Sequence, residues 1–348
     1  MALVFFSAIG LRAGAADGFR YLKPIHASDK ILRPSEFLPG QAPVEGFGYD
    51  GQMYFVIAQD PFLTRSDTAA SLDTGSRYHR ILYPVLAWAL AGGRRELLPF
   101  SLMGVNLAAG VVLTAVLAAW CARRGRSVWL ALVVTAFPGV WVPALLDLTE
   151  PTQLALMAGG VLLGSAGTFL AATLAREQAG VTLAAYAFDA LRRRAWSTAA
   201  RFTVAVAAYA AWWLLVQLTV HGYNTNAAFF SRTHPFTGAF LVLASSLHDP
   251  ARLLVTASAV ATCLLIVLRG FIVREPVSVA AAAYAAIALW TGTEVWDDPM
   301  GFYRTFAGAV VLLFMSWCAR RDRLGAGAVW LVGVSSAFSL AALAAAFS

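Results

Sequence analysis

The chain has 348 residues, 59% of them hydrophobic and 13% charged, and its mean hydropathy is +0.67. Soluble domains carry about 25% charged residues, so a large soluble fold is excluded, and repeated apolar runs near bilayer length describe an all-α polytopic membrane protein. The net charge of +7 comes almost wholly from arginine, since Lys23 and Lys30 are the only lysines. These arginines sit at the ends of apolar runs, as the positive-inside rule predicts and as nucleic-acid binding does not.

The first element is "LVFFSAIGLRAGAAD". Its "AGA" mimics a signal cleavage site, but no positive charge precedes the apolar core and Arg12 interrupts it. The expectation is a retained first helix over about 2–15. A polar segment follows to about residue 77, holding Asp17, Asp29, Glu36, Glu45, Asp50, Asp60, Asp67 and Asp73 out of nineteen acidic residues. Within it, "GFGYDGQMYFVIAQDPF" sets Asp50 ahead of helical spacing in which Met53, Val56 and Ile57 share a face. That predicts a short amphipathic helix along the membrane surface, with Gly48 and Gly51 turning the backbone beside Asp50. On pattern alone an Asp in this place is an N-cap.

The next apolar stretch, "YHRILYPVLAWALAGG" over 78–93, is short for a span. Clear spans are predicted at about 97–121, 127–146, 197–220, 250–270, 275–292, 303–319 and 327–347. Residues 152–175 read as one span or as two short helices broken at Gly164–Gly167, and "AGVTLAAYAFDALRRR" forms a further short helix. Arginine placement orders these elements. Putting Arg123, Arg124, Arg126, Arg192, Arg193, Arg194, Arg201, Arg269, Arg274, Arg320, Arg321 and Arg323 on the cytoplasmic side sets them against Asp189, Glu275 and Asp322 alone. The acidic loop and the loops around 147–151, 221–249 and 293–302 then face outward. This arrangement needs 78–93 to be juxtamembrane and 152–175 to be a hairpin. The rival arrangement makes both full spans and exposes Arg123–Arg126 outside.

Two more polar knots fall on the outer side. In "LLDLTEPTQ", Asp147 and Glu150 lie between apolar runs, and Thr149 with Pro151 suits a helix start. In "GTEVWDDPMGFYRTF", Trp296 fits an aromatic belt. Arg304 there opposes the charge bias and pairs either with a bound anion or with Asp297 or Asp298. Arg176 opposes it too, with Glu177 beside it to neutralise it. Cys121, Cys263 and Cys318 lie in or beside apolar helices without metal-ligand or disulfide spacing, so packing is their expected role. No HExxH or similar tight spacing supports a metal site, although Asp, Glu and His recur in the outer loops.

Taken together, "GYDGQMYFVIAQDPF", "YHRILYPVLAW", "DLTEP", "LAREQ" and "DDPMGFYR" resemble, in order and spacing, the GT-C membrane glycosyltransferases, above all bacterial relatives of the GPI mannosyltransferases. The resemblance covers most of the chain through individually loose motifs. It implies a single membrane-embedded domain over 1–348, a bundle of roughly ten to eleven transmembrane helices, and a large first external loop over 16–96 with juxtamembrane helices. It further implies an inverting enzyme of the cytoplasmic membrane, with its active site facing outside. The donor would be a polyprenyl-phosphate sugar and the acceptor a hydroxyl on a glycan, lipid or protein; a divalent metal is left open. By resemblance Asp50 is the catalytic base, with Glu150 or Asp147 as the second acid. Tyr49, Tyr54, His79, Arg80, Asp147, Arg176 and Arg304 are substrate-binding candidates, the cations among them serving the leaving phosphate. The shortness of the first helix and of 152–191 departs from the family pattern. Two other classes compete. A multipass transporter or lipid-carrier flippase would use Asp50 and Glu150 for gating or ion coupling, although such groups usually sit mid-span. A structural envelope subunit would leave the acids as caps.

Overall fold

The computed structural model describes residues 28–30, 32, 36–38, 49–65, 68, 71–221, 236–297 and 299–346. The helix expected over 2–15, the motif residue Gly48 and Asp298 lie outside them. Among the described residues the chain is helical and without strands.

The helices run in chain order. Helix α1 is Gly51–Gln59 and α2 Leu82–Leu90, with a 3₁₀ turn Gly75–Arg80 between them. Helix α3, Leu98–Arg123, is the first long one, followed by α4 Ala131–Thr135 and α5 Pro138–Leu145. Then come α6 Glu150–Leu163, α7 Ala166–Ala175, α8 Gly180–Arg192 and α9 Trp196–Thr219. The remainder is α10 Thr237–Ser245, α11 Pro250–Ile272, α12 Pro276–Trp290, α13 Thr293–Asp297, α14 Pro299–Arg320 and α15 Arg323–Ala346.

Four helical segments among the described residues are long and apolar enough to cross a membrane: Arg95–Arg123, Trp196–Thr219, Arg252–Ile272 and Gly301–Arg320. Shorter apolar helices lie between them. The expected span over 127–146 is not one helix. Phe137 precedes Pro138 and is extended at φ −67° and ψ 132°, because the proline ring drives the preceding residue out of the helical region. The result is α4 and α5 joined at a break.

The stretch 152–175 is a hairpin. Gly164 closes α6 at φ +62°, a left-handed position suited to glycine, and Ser165 caps α7 by accepting from the Thr168 amide. Because Arg123 Nη1 donates to the Leu162 carbonyl, the tip of this hairpin lies at the same end as the C-terminus of α3. The chain then returns with α7, and Arg176 meets Glu150 at the start of α6.

The two ends of the bundle differ in character. One gathers Arg123, the Arg269–Asp322 and Arg320–Glu275 pairs, and a contact from Arg321 to the Arg124 carbonyl. The other gathers Asp50, Glu150, Arg176 and Arg304. Helix α14 runs between them as the central element: residues 305–316 are all buried, as expected of a helix apolar on every side. Helix α9 is peripheral and exposes Val204, Leu214, Leu215 and Leu218, an apolar surface that suits lipid better than water.

Helix α1 does not lie along a surface. Gly51 to Ala58 are all buried, Gln52 included. Gly51 is required by close approach rather than by a turn, since a Cβ there would stand 2.3 Å from the Leu146 carbonyl oxygen and 3.2 Å from the Asp147 Cβ. The helix is thereby pressed against the loop that joins α5 to α6. Trp296, expected in an aromatic belt, is 2% exposed, stacks on Phe302 and donates its indole N–H to the Ala288 carbonyl. The three cysteines are buried, with Cys121 and Cys318 meeting at 3.8 Å between sulfurs.

Candidate functional site

Asp50 occupies the N-cap position of α1, but its own backbone is already helical and its side chain makes no capping hydrogen bond. Its carboxylate turns away from the helix instead. Oδ1 accepts from Arg77 Nη2 at 3.0 Å, and Oδ2 accepts from Arg304 Nη2 at 2.7 Å. Arg304 also directs Nε to Glu150 Oε1 at 3.0 Å and Nη1 to the Tyr49 hydroxyl at 3.2 Å, with its guanidinium 5.5 Å from the Tyr49 ring centre. Glu150 Oε1 is shared with Arg176 Nη1, whose Nε reaches Gln178 Oε1 at 3.1 Å. Arg77 holds Asp73 through Nε at 3.0 Å and Nη2 at 2.7 Å. An unbroken chain of alternating charge therefore runs from Asp73 through Arg77, Asp50, Arg304 and Glu150 to Arg176.

A second group adjoins it. Arg80 grips Glu177 with two hydrogen bonds of 2.8 and 2.6 Å and donates a third, of 2.7 Å, to the Tyr54 hydroxyl. Arg77 and Arg80 stand three apart on the 3₁₀ turn, where residues at that spacing eclipse and point the same way. His79, between them, stacks on Trp213 of α9. Burial, helped by Arg80 and opposed by Glu177, lowers its pKa, which removes it from the cations available at neutral pH.

Nearly all the residues singled out from the sequence meet here. Asp50, Glu150, Tyr49, Arg176 and Arg304 share the charge chain, and Arg80 and Tyr54 share the second group. Asp297 pairs with Arg252 rather than with Arg304. Glu177, set beside Arg176 in sequence, belongs to Arg80. Asp60, also in the motif, only ties down the loop after α1, accepting from the Thr64 and Arg65 amides and from the Thr64 and Thr68 hydroxyls. Arg77 and Asp73 were missed. Their i, i+4 spacing is the available signal, but the 3₁₀ turn begins at Gly75, three residues before the apolar stretch that starts at Tyr78.

The carboxylates differ sharply. Burial would raise the Asp50 pKa, but Arg77 and Arg304 outweigh it and hold the group ionised, far below the usual range. Burial works the same way on Glu177, and Arg80 brings it to about 2. Asp147 is the opposite case. It is 5% exposed, sits at φ +53°, and has no hydrogen-bond or ion-pair partner among the described residues. Burial alone pushes its carboxyl up to about 8, so it is mostly protonated at neutral pH. Other buried polar atoms nearby also lack partners among the described residues: Glu150 Oε2, Thr149 Oγ1, Thr152 Oγ1 and Gln178 Nε2. Such atoms are costly unless water or a ligand reaches them.

Among the described residues no group of three His, Cys, Asp or Glu side chains is placed to hold a metal ion. The acids nearest one another face guanidinium groups, a donor set that does not fit a divalent cation.

An apolar groove of about 370 Å³ is lined by Leu86 and Leu90 of α2, Val105 and Ala108 of α3, and Thr152 and Leu156 of α6. Thr152 is its polar lining residue, on the same helix as Glu150 but at an i, i+2 spacing that turns the two side chains to different faces. In comparisons with family models, with curated proteins and with solved structures, nothing matches the chain.

Proposed function

We propose that the protein is an inverting membrane glycosyltransferase of GT-C type that moves a sugar from a polyprenyl-phosphate donor to an acceptor hydroxyl at the outer face of the cytoplasmic membrane. The observation that carries this reading is the charge cluster, four arginines and their carboxylates at one end of a bundle that also holds an apolar groove between α2, α3 and α6. A ligand that would use both features is an amphiphile with an isoprenoid tail and an anionic phosphate head.

The step needs a base, an anion-stabilising site and a shielded place for the sugar. Asp50 takes the proton of the acceptor hydroxyl as its oxygen attacks the anomeric carbon. The bond from that carbon to the phosphate oxygen breaks with inversion, and polyprenyl phosphate leaves with the electron pair. Arg304 faces that developing charge, with Arg176 behind it through Glu150. Asp147, protonated at neutral pH, is a hydrogen-bond donor in a buried place, a role that an ionised aspartate could not fill. Orientation follows from charge: the arginine-rich end faces the cytoplasm. A bundle of ten to eleven spans, counting the short helices and the N-terminal segment, belongs to the same proposal.

The test is incubation of purified protein with a panel of radiolabelled polyprenyl-phosphate sugars. Transfer or release of label from one donor supports the reading, and silence across the panel overturns it. One observation favours a second reading, a proton-coupled transporter or lipid-carrier flippase. A buried, unpaired carboxyl titrating near neutrality, as Asp147 does, is what proton coupling uses. Proton-dependent uptake or lipid flipping in proteoliposomes, without transfer, would select it.

A further inference from the structure

Each guanidinium in the cluster already faces a carboxylate: Arg77 has Asp73 and Asp50, Arg80 has Glu177, Arg176 has Glu150, and Arg304 has Asp50 and Glu150. Among the described residues of the cluster an anionic head group therefore finds no vacant cation, and it enters by exchange. We propose that Asp50 is a built-in competitor for the anion site on Arg304, and that an incoming phosphate displaces it and thereby frees its carboxylate. The identity of the anion rests on the glycosyltransferase reading; the exchange does not.

Three features select Arg304 and Asp50 from the alternatives. Arg77 and Arg80 each hold one carboxylate with two hydrogen bonds, the strong forked geometry. Arg304 spreads its three nitrogens over three partners, so no partner holds its fork. Its Nη1 and Nη2 both face the side of Tyr49 and Asp50, the edge that a phosphate would claim with two parallel bonds. Finally, the two acids on Arg304 differ in what leaving would cost. Glu150 is 1% exposed and Asp50 28%. A released Glu150 would be an uncompensated buried charge, whereas a released Asp50 can be hydrated and keeps Arg77.

The exchange orders the reaction. While Arg304 holds Asp50, both carboxylate oxygens are occupied and the group is too weak a base to activate a hydroxyl. Once a phosphate sits on Arg304, Oδ2 is free and the sugar bound to that phosphate is in the site. The base then becomes competent only with donor present.

The experiment measures binding of farnesyl phosphate in detergent micelles, with farnesol as the uncharged control. Asp50→Asn, which removes the competing charge, should bind farnesyl phosphate about tenfold tighter than the wild type, within the usual range for coupled sites. Arg304→Lys should bind it more weakly, and farnesol should be bound alike by all. Asp50→Ser, which replaces the carboxylate with a smaller polar side chain, gives the same reading where Asp50→Asn does not fold. Unchanged or weaker binding in the folded variant overturns the exchange. If binding tightens but no donor is ever turned over, the exchange stands and the glycosyltransferase reading fails. Turnover without tightening has the reverse meaning.

Discussion

Arg304 on α14 donates to Asp50 at the head of α1, Nη2 to Oδ2 at 2.7 Å, between residues 254 apart in the chain. A charge pair that joins the first described helix to the central helix is a link between the segment before the first long helix and the bundle. It also makes Asp50 a residue with two roles, anchoring and chemistry, which different substitutions separate. Asp50→Asn retains size and one hydrogen-bond acceptor but not basicity. Transfer by this variant should fall about 10²–10⁴-fold, and its melting temperature should fall as well, because Arg77 and Arg304 lose a charged partner. Turnover within several-fold of wild type, measured with the donor found active, would remove Asp50 from the base role.

The orientation rests on the arginine end. Phe62, just beyond the C-terminal end of α1, is 62% exposed, and Leu163 is 67% exposed at the tip of the α6–α7 hairpin. Cysteine placed at Phe62 should react with an impermeant thiol reagent added to intact cells. Cysteine at Leu163 or at exposed Ser127 should react only after permeabilisation. The native thiols are buried and should contribute little background. Labelling of Leu163 from outside would invert the bundle and turn the cluster toward the cytoplasm.

Asp147 gives a pH signature. Its folded pKa, about 8, lies above the ordinary aspartate value of 3.8. Between these two values the unfolded chain has released a proton that the folded chain retains, so stability falls as pH rises through that window. Above about 8 the loss is complete. Asp147→Asn should flatten this decline and raise the melting temperature at pH 8 more than at pH 5. Asp50 has the opposite sign. Its depressed pKa stabilises the fold above the ordinary aspartate range, and that contribution disappears as pH falls below about 4. A melting profile in detergent that rises steadily from pH 5 to 8 would contradict the assignment of Asp147.

Much of the site was legible because intramembrane boundaries punish charge, so each charge there signals a purpose. Asp50, Glu150, Arg176 and Arg304 stand out against apolar surroundings and converge in space. Their partners were not legible. Sequence proximity suggested Glu177 for Arg176 and Asp297 for Arg304, but both arginines reach Glu150, which the hairpin and the start of α14 bring together. Helix patterns failed where tertiary contact overrode periodicity. Met53, Val56 and Ile57 mark an amphipathic face, yet α1 is covered on every side. The break at Phe137 was readable from Pro138 but was hidden by an otherwise continuous apolar run. Asp50 as a helix cap was the commonest local use of that residue, and two arginines distant in sequence or fold outcompete it.

The Glu150–Arg176 pair tests how far the cluster is structural. Its side chains are 1% and 2% exposed, so both charges have given up water and depend on each other. Glu150→Ala would leave Arg176 buried without its carboxylate and take a partner from Arg304. Breaking a buried pair from one side typically costs about 3–5 kcal/mol, which should appear as a marked drop in melting temperature in detergent. The contrast is Asp189, which pairs with Arg192 and Arg193, both more than half exposed. Removing an exposed pair typically costs about 0–1 kcal/mol, so Asp189→Ala should melt almost as the wild type does. Replacing Glu150 and Arg176 together by Gln and Met should recover much of the stability lost in Glu150→Ala, since the orphaned charge goes with its partner. That double variant should still be inactive, because Arg304 loses the carboxylate that orients it. A double variant that melts as low as Glu150→Ala would show that the pair's worth lies in shape rather than in charge.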